Sequence, residues 1–152
     1  MSSAKDDIIE FKIGLIDTSE FALIEDNYDE NYDGDNSLTS SIEFGTDSAS
    51  HVLAIRLKFV FEQNKKPFLI CAVEVGFAIE DESWRRLISK EANELIIPLN
   101  FAFHMALLAT GTARGIIHEK TVKSRIKSTI LPPIDLTGQI SEDVRLDLSE
   151  EN

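Results

Sequence analysis

Residues 94–115 read ELIIPLNFAFHMALLATGTARG, and the way this stretch folds decides the architecture. Between Leu95 and Ala109 only Asn100 and His104 are clearly polar, and Pro98 interrupts the run. As a helix the run is about 22 Å long, short of the roughly 20 apolar residues that a membrane span needs. With Pro98, Asn100 and His104 inside it, the segment is expected not to insert into a membrane. The helix is expected over residues 92–117, irregular before Pro98 and regular after it, with Gly111 and Gly115 weakening or ending it.

An amphipathic helix on one sheet needs a single apolar stripe about 100° wide. Here two are expected: Leu99, Phe103, Ala106 and Thr110 on one, and Phe101, Met105, Leu108 and Thr112 on another. Two stripes imply two contacts, one with the chain's own sheet and one with the same helix of a second subunit, because a large bare apolar patch is a liability in solution. Leu99, Phe101, Phe103, Met105 and Leu108 are therefore expected at a subunit interface.

Upstream the apolar period changes from helical to two. Residues 8–17, IIEFKIGLID, alternate, with Ile9, Phe11, Ile13 and Leu15 on the buried side, and residues 21–24 extend the strand after a bend. Residues 38–44 form a second strand. In residues 51–62 Leu53, Ile55, Leu57, Phe59 and Phe61 share one face, and residues 67–79 return with Leu69, Cys71, Val73, Val75, Phe77 and Ile79. Short polar connections between such strands mean antiparallel pairing with one wet face. Ser83 is expected to cap a short helix over residues 84–88.

The fold class is thus α+β: a four-stranded antiparallel sheet with a long helix packed on one face. One domain is expected, with the sheet in 8–79, helices in 84–117, a basic linker in 118–129, an extended segment in 130–136 and a polar acidic tail in 137–152. Pro132 and Pro133 exclude helix and hold that segment extended.

The chain has 152 residues, 43% of them hydrophobic, which suits a folded core. Its formal charge of -12 would repel phosphates, which argues against nucleic acid as a partner. Met1 to Asp7 open polar, with no apolar signal core. The single cysteine, Cys71, cannot form an internal disulfide and fits a reducing cytoplasm.

Motifs for chemistry are sparse. Asp29, Asn31, Asp33 and Gly34 match the opening of a calcium loop, but position twelve is Ser40 rather than Glu, so a solvated acidic loop is expected over residues 26–37. His51, His104 and His118 lack metal-ligand spacing. Cys71 alternates inward and reads as a small core residue. No phosphate loop, dinucleotide fingerprint or nucleophile elbow occurs. The reading is of a protein that is not an enzyme and carries no cofactor or metal. The basic cluster of Arg114, Lys120, Lys123, Arg125 and Lys127 could dock the chain's own acidic loop or an acidic partner segment.

In order and spacing, HVLAIRLKFVFEQNKKPFLICAVEVGFAI, then ELIIPLNFAFHMALLATGTARG, then ILPPIDL resemble the SecB-like export chaperones, across most of the chain. The resemblance implies an ATP-independent holdase that binds unfolded or preprotein polypeptides in apolar grooves, assembled as a homodimer or tetramer through the long helix. Phe44, Phe77, Ile79, Leu131 and Ile134 are the candidate client-binding residues. It also implies a SecA-type translocation ATPase as a partner. The family's acidic contact position for that ATPase is occupied here by Cys71, with Glu74 three residues on. The alternative is an adaptor on the same fold that binds one partner, such as an antitoxin-like protein.

Overall fold

The computed structural model describes residues 8–126 and 129–149. The polar opening at 1–7, Lys127 of the basic cluster and the last residues of the acidic tail, 150–152, lie outside them. Four long strands, β1 (Phe11–Leu23), β2 (Ser37–Asp47), β3 (Val52–Gln63) and β4 (Lys66–Ile79), form one antiparallel sheet in the order β1-β4-β3-β2. The fold is α+β, as its patterning implies. Leu53 to Phe61 on β3 and Leu69 to Ile79 on β4 put their alternate side chains into the core, all buried. The sheet is organised about this pair because β3 keeps a period of two throughout and β4 keeps it from Leu69 to Ile79, after a register shift at Phe68.

β1 departs from simple alternation. Register shifts at Gly14 and Ser19 break its pairing with β4. Each bulge turns the following residues over. Leu15, expected inward, therefore sits opposite Gly76 on the outer face. Ile13, Leu15 and Ile16 are 46, 49 and 54% exposed.

Helix α1 (Asp81–Leu87) is capped by Glu80, whose carboxylate accepts the Glu82 and Ser83 N–H groups, and not by Ser83. Ser83 lies buried inside the helix, where its Oγ accepts the Glu10 N–H. The chain then forms β5 (Ile88–Ser89) and β6 (Glu94–Ile97), so the first part of the apolar run is a strand and not an irregular helix. Pro98 explains the boundary: its extended backbone ends β6, and as N-cap it precedes a helix whose first donors need no proline N–H.

Helix α2 (Leu99–Thr121) runs straight past Gly111 and Gly115, which sit inside it rather than ending it, so that residues 118–121 of the expected linker are helical. Its length is about 34 Å. Ala102, Ala106, Ala109 and Ala113 have no exposed surface and lie one above another at i, i+4, i+7 and i+11. With no side chain beyond Cβ, they let the helix backbone approach β3 and β4 closely. Phe101, Met105, Thr110, Ile117 and Thr121 complete the buried face.

Met105 and Phe101, expected at a subunit interface, therefore pack inside this chain. Ala106 and Thr110 do the same. The outward stripe is instead His104, Leu107, Gly111, Gly115 and His118, flanked by half-buried Phe103, Leu108, Thr112 and Ile116. Leu107 is the most exposed residue of the helix's apolar set, at 61%.

The acidic tail also has structure. β7 (Val144–Asp147) pairs antiparallel with β6, giving a second, three-stranded sheet β5-β6-β7. Asp143 Oδ1 accepts the Leu99 N–H at 2.8 Å, so the tail supplies the cap that Pro98 cannot.

Replacing Ala106 by Leu is expected to cost about 1–3 kcal/mol through overpacking. Gly111→Ala, with nothing within 4 Å of the added carbon, is expected to stabilise by about 0.5–1 kcal/mol. Urea unfolding of both variants measures the two signs.

Candidate functional site

The inner face of the sheet is wider than one helix. α2 lies over β3 and β4, and the inward side chains of β2, Leu38, Ile42 and Phe44, are covered only in part. The chain covers them with its own C-terminal segment. Arg114 on α2 donates from Nε to the Leu131 carbonyl at 2.7 Å and from Nη2 to the Pro132 carbonyl at 3.1 Å. Gln139 Nε2 donates to Ser40 Oγ on β2 at 2.9 Å, and Asp143 then reaches the start of α2. Residues 131–143 thus run back alongside α2, between it and β2.

Where this segment passes β2 a cleft of about 430 Å³ remains. Ile42, Phe44, Ile140 and Val144 give it apolar walls, and Gln139, Glu142, Asp143 and Arg145 give it a polar rim. Its rim groups are engaged in structure: Asp143 caps α2, and Arg145 Nη1 holds Glu94 Oε1 at 2.7 Å. β2 is an edge strand, and an edge presents a row of main-chain donors and acceptors to an added strand. The cleft therefore lies beside the edge strand of the sheet, whose outer side pairs with no other strand among the described residues.

Of the candidate client-binding residues, Phe44 lines this cleft and is half-buried, as is Ile134. Phe77, Ile79 and Leu131 are buried core residues. Phe77 packs edge-on against Phe11 and Phe101. These three are out of reach of any external chain in this conformation. Strand alternation could not separate them from groove residues, since both kinds point inward.

The outer face carries a second hollow, of about 650 Å³. The pairings Gly45 with Ala54, Ala54 with Gly76 and Gly76 with Leu15 place three small residues in one row across β2, β3 and β4, closed on β1 by Leu15. The adjacent row is Asp17, Glu74, Arg56 and Glu43. Glu74 thus faces outward beside a shallow apolar floor. Reading the strand register across the sheet, rather than along each strand, is the signal that would have found this row.

The basic cluster is divided among separate tasks. Arg114 holds the C-terminal segment. Arg125 meets the acidic loop, its N–H donating to Glu25 Oε1 at 3.2 Å and its Nε lying 3.9 Å from Glu30 Oε1. Lys120 lies over the Phe21 ring at 5.1 Å. The loop itself caps the end of the sheet: Gln63 bonds both main-chain groups of Asp29, and Tyr28 packs on Phe68. Among the described residues no group of three His, Cys, Asp or Glu is placed to hold a metal ion. His51 stacks on Trp84 with its Nδ1 2.9 Å from Asp81 Oδ1, and His104 packs against Phe11. Among the described residues no helix is long and apolar enough to cross a membrane.

No protein-family model, curated protein or solved structure matches this chain.

Burial of Cys71 disfavours its thiolate and pushes the thiol from 9.0 up to about 11, with the Lys120 charge opposing the rise. The folded chain thus keeps a proton that the unfolded chain loses. Stability from this source is complete below pH 9 and is lost as pH rises through about 11. Two pKa units correspond to about 100-fold less thiolate, so at pH 8 the folded chain should react with an aromatic disulfide reagent at least that much more slowly than the chain in urea. Equal rates would place Cys71 at the surface.

Proposed function

We propose that this protein is an ATP-independent holdase that binds extended, unfolded segments of other polypeptides. The observation that carries the reading is the apolar cleft between Ile42 and Phe44 on the β2 edge and Ile140 and Val144 on the returning segment. Main-chain hydrogen bonding along an edge strand is indifferent to sequence, and apolar walls accept many side chains. The formal charge of -12 suits clients rich in Lys and Arg and keeps a loaded complex soluble. The likeness in element order to the SecB-like chaperones supports the same reading. The lone buried thiol supports a reducing, cytoplasmic setting.

The working form in this proposal is a homo-oligomer. The outward stripe of α2, with Leu107 bare and Gly111 and Gly115 open to close approach, supports pairing of this helix with its copy about a twofold axis.

A second reading, an adaptor for one folded partner, is favoured by the outer hollow. A flat floor of Gly45, Ala54 and Gly76 beside Asp17, Glu74 and Glu43, with Arg56 the one cation among them, suits a rigid basic surface, such as that of a translocation ATPase, better than a flexible chain. The basic face expected to bind an antitoxin-like segment has less support, because Arg114 and Arg125 are engaged within the chain.

A denatured model protein diluted into a stoichiometric amount of this chain should stay soluble without nucleotide. Phe44→Asp should lose most of that protection, whereas Glu74→Lys should leave it intact. Undiminished aggregation in the presence of the folded wild-type chain would reject the holdase reading. Light scattering at micromolar concentration should give a multiple of the 17.0 kDa chain mass, reduced toward one chain by Leu107→Glu. A wild-type monomer would reject the helix pairing.

A further inference from the structure

Residues 130–140 fill the space between α2 and β2 in the manner of a bound peptide. They form no helix and no strand. Among the described residues their main-chain hydrogen bonds to other backbone groups are local, from the Gln139 and Ile140 N–H groups to the Leu136 carbonyl. What holds them is of another kind. Leu131, Leu136 and Ile140 are buried as three spaced apolar anchors. Between them Asp135, Thr137 and Gly138 face water, and Ile130, just before the first anchor, is 68% exposed. Pro132 and Pro133 keep the backbone extended and remove two donors that would otherwise need partners. One cation, Arg114, grips two consecutive carbonyls of the segment, and Gln139 pins the far end to Ser40.

Buried side-chain anchors, solvated residues between them, a proline-stiffened backbone and main-chain carbonyls read by a side chain are how extended peptides are recognised by other proteins. Here the peptide is covalently attached. We propose that the channel between α2 and β2 is itself a peptide-binding site, and that residues 130–140 are its tethered occupant. Its external ligand is an extended, proline-containing apolar segment of another polypeptide, admitted when Arg114 lets the strap go. This rests on the proposed polypeptide-binding function and assigns the ligand class and control of the same site. The open cleft at Phe44 is then the end of a longer channel, and lifting the strap extends it along α2 to the place now taken by Leu131.

The tether makes the control quantitative. A short attached segment competes at an effective concentration in the millimolar range. Free peptides of ordinary affinity are excluded while the strap is seated, and only ligands that match all three anchors displace it. Leu131, Leu136 and Ile140 set the threshold, since the Arg114 hydrogen bonds go to main-chain carbonyls that any extended occupant offers.

The probe is a fluorescent synthetic peptide with the sequence of residues 129–142, TILPPIDLTGQISE, titrated by anisotropy into the full chain. Leu136→Ser, which weakens the attached segment and leaves the channel and Arg114 intact, should bind it at least about tenfold more tightly than wild type. A control peptide with Ser in place of the two Leu and the last Ile should bind neither. Absence of binding to a folded Leu136→Ser chain overturns the proposal. Native-state hydrogen exchange on wild type decides independently of any variant. Amides of residues 134–140 should exchange through an opening that leaves β3 and β4 protected, and exchange only together with those strands overturns the proposal by making the segment inseparable core. The aggregation assay separates the two levels. Peptide binding without aggregation suppression rejects the holdase and keeps the site, whereas suppression with a strap that never opens keeps the holdase and rejects the site.

Discussion

Ala102, Ala106, Ala109 and Ala113 make one stripe of α2 almost flat, and that stripe lies against the pleated inner face of β3 and β4 with no surface left to water. Larger side chains here would lift the helix off the sheet and open voids, which interiors do not tolerate. This close seating sets the rotation of the helix about its axis. Met105, Phe101 and Ile117 then fall inward beside the alanines, and Leu107, His104 and the two glycines fall outward. The bare stripe is thus a consequence of the buried one.

The same seating leaves part of the sheet uncovered. A single helix covers two strands, and the inward residues of β2 need another cover. The returning segment supplies it and repays the helix, because Arg114 holds the strap while Asp143, further along the same segment, caps the helix start that Pro98 leaves without a side-chain acceptor. Helix and strap are mutually supporting at the start of α2 and, at Arg114, in its second half. A helix whose last-placed neighbour is a side-chain-anchored strap has a built-in weak seam, since such a segment can open at lower free energy than the paired strands beneath it.

Charge follows the same division. The inner face is apolar and holds one buried thiol, whereas the outer face sorts into transverse rows, small residues in one and Asp17, Glu74, Arg56 and Glu43 in the next. Lys58 and Arg56 both approach Glu20, at 3.1 and 3.8 Å, which ties the two central rows together with exposed pairs of modest worth. The two faces are chemically independent, so the two proposed uses, an extended chain on one and a folded surface on the other, would not compete.

Local pattern alone determined the α+β class, the antiparallel sheet and the existence of a long helix after Pro98. Periods of two and of 3.6 are written residue by residue, and Val, Ile and Phe at alternate positions of β3 and β4 admit one reading. The helix phase was legible too, in four alanines at i, i+4, i+7 and i+11, but large side chains drew attention away from it, and Phe101 and Met105 were assigned to the wrong side. Only the tertiary structure decided that Leu95 to Ile97 would be a strand and that the acidic tail would pair with it, because a four-residue ladder owes its stability to its partner and not to its own propensity. The bulge that turns Leu15 outward, the contact of Arg114 with Leu131, and the cap that Asp143 provides 44 residues from Leu99 are of the same kind. They depend on distant segments meeting in space, and no short window of sequence records which segments meet.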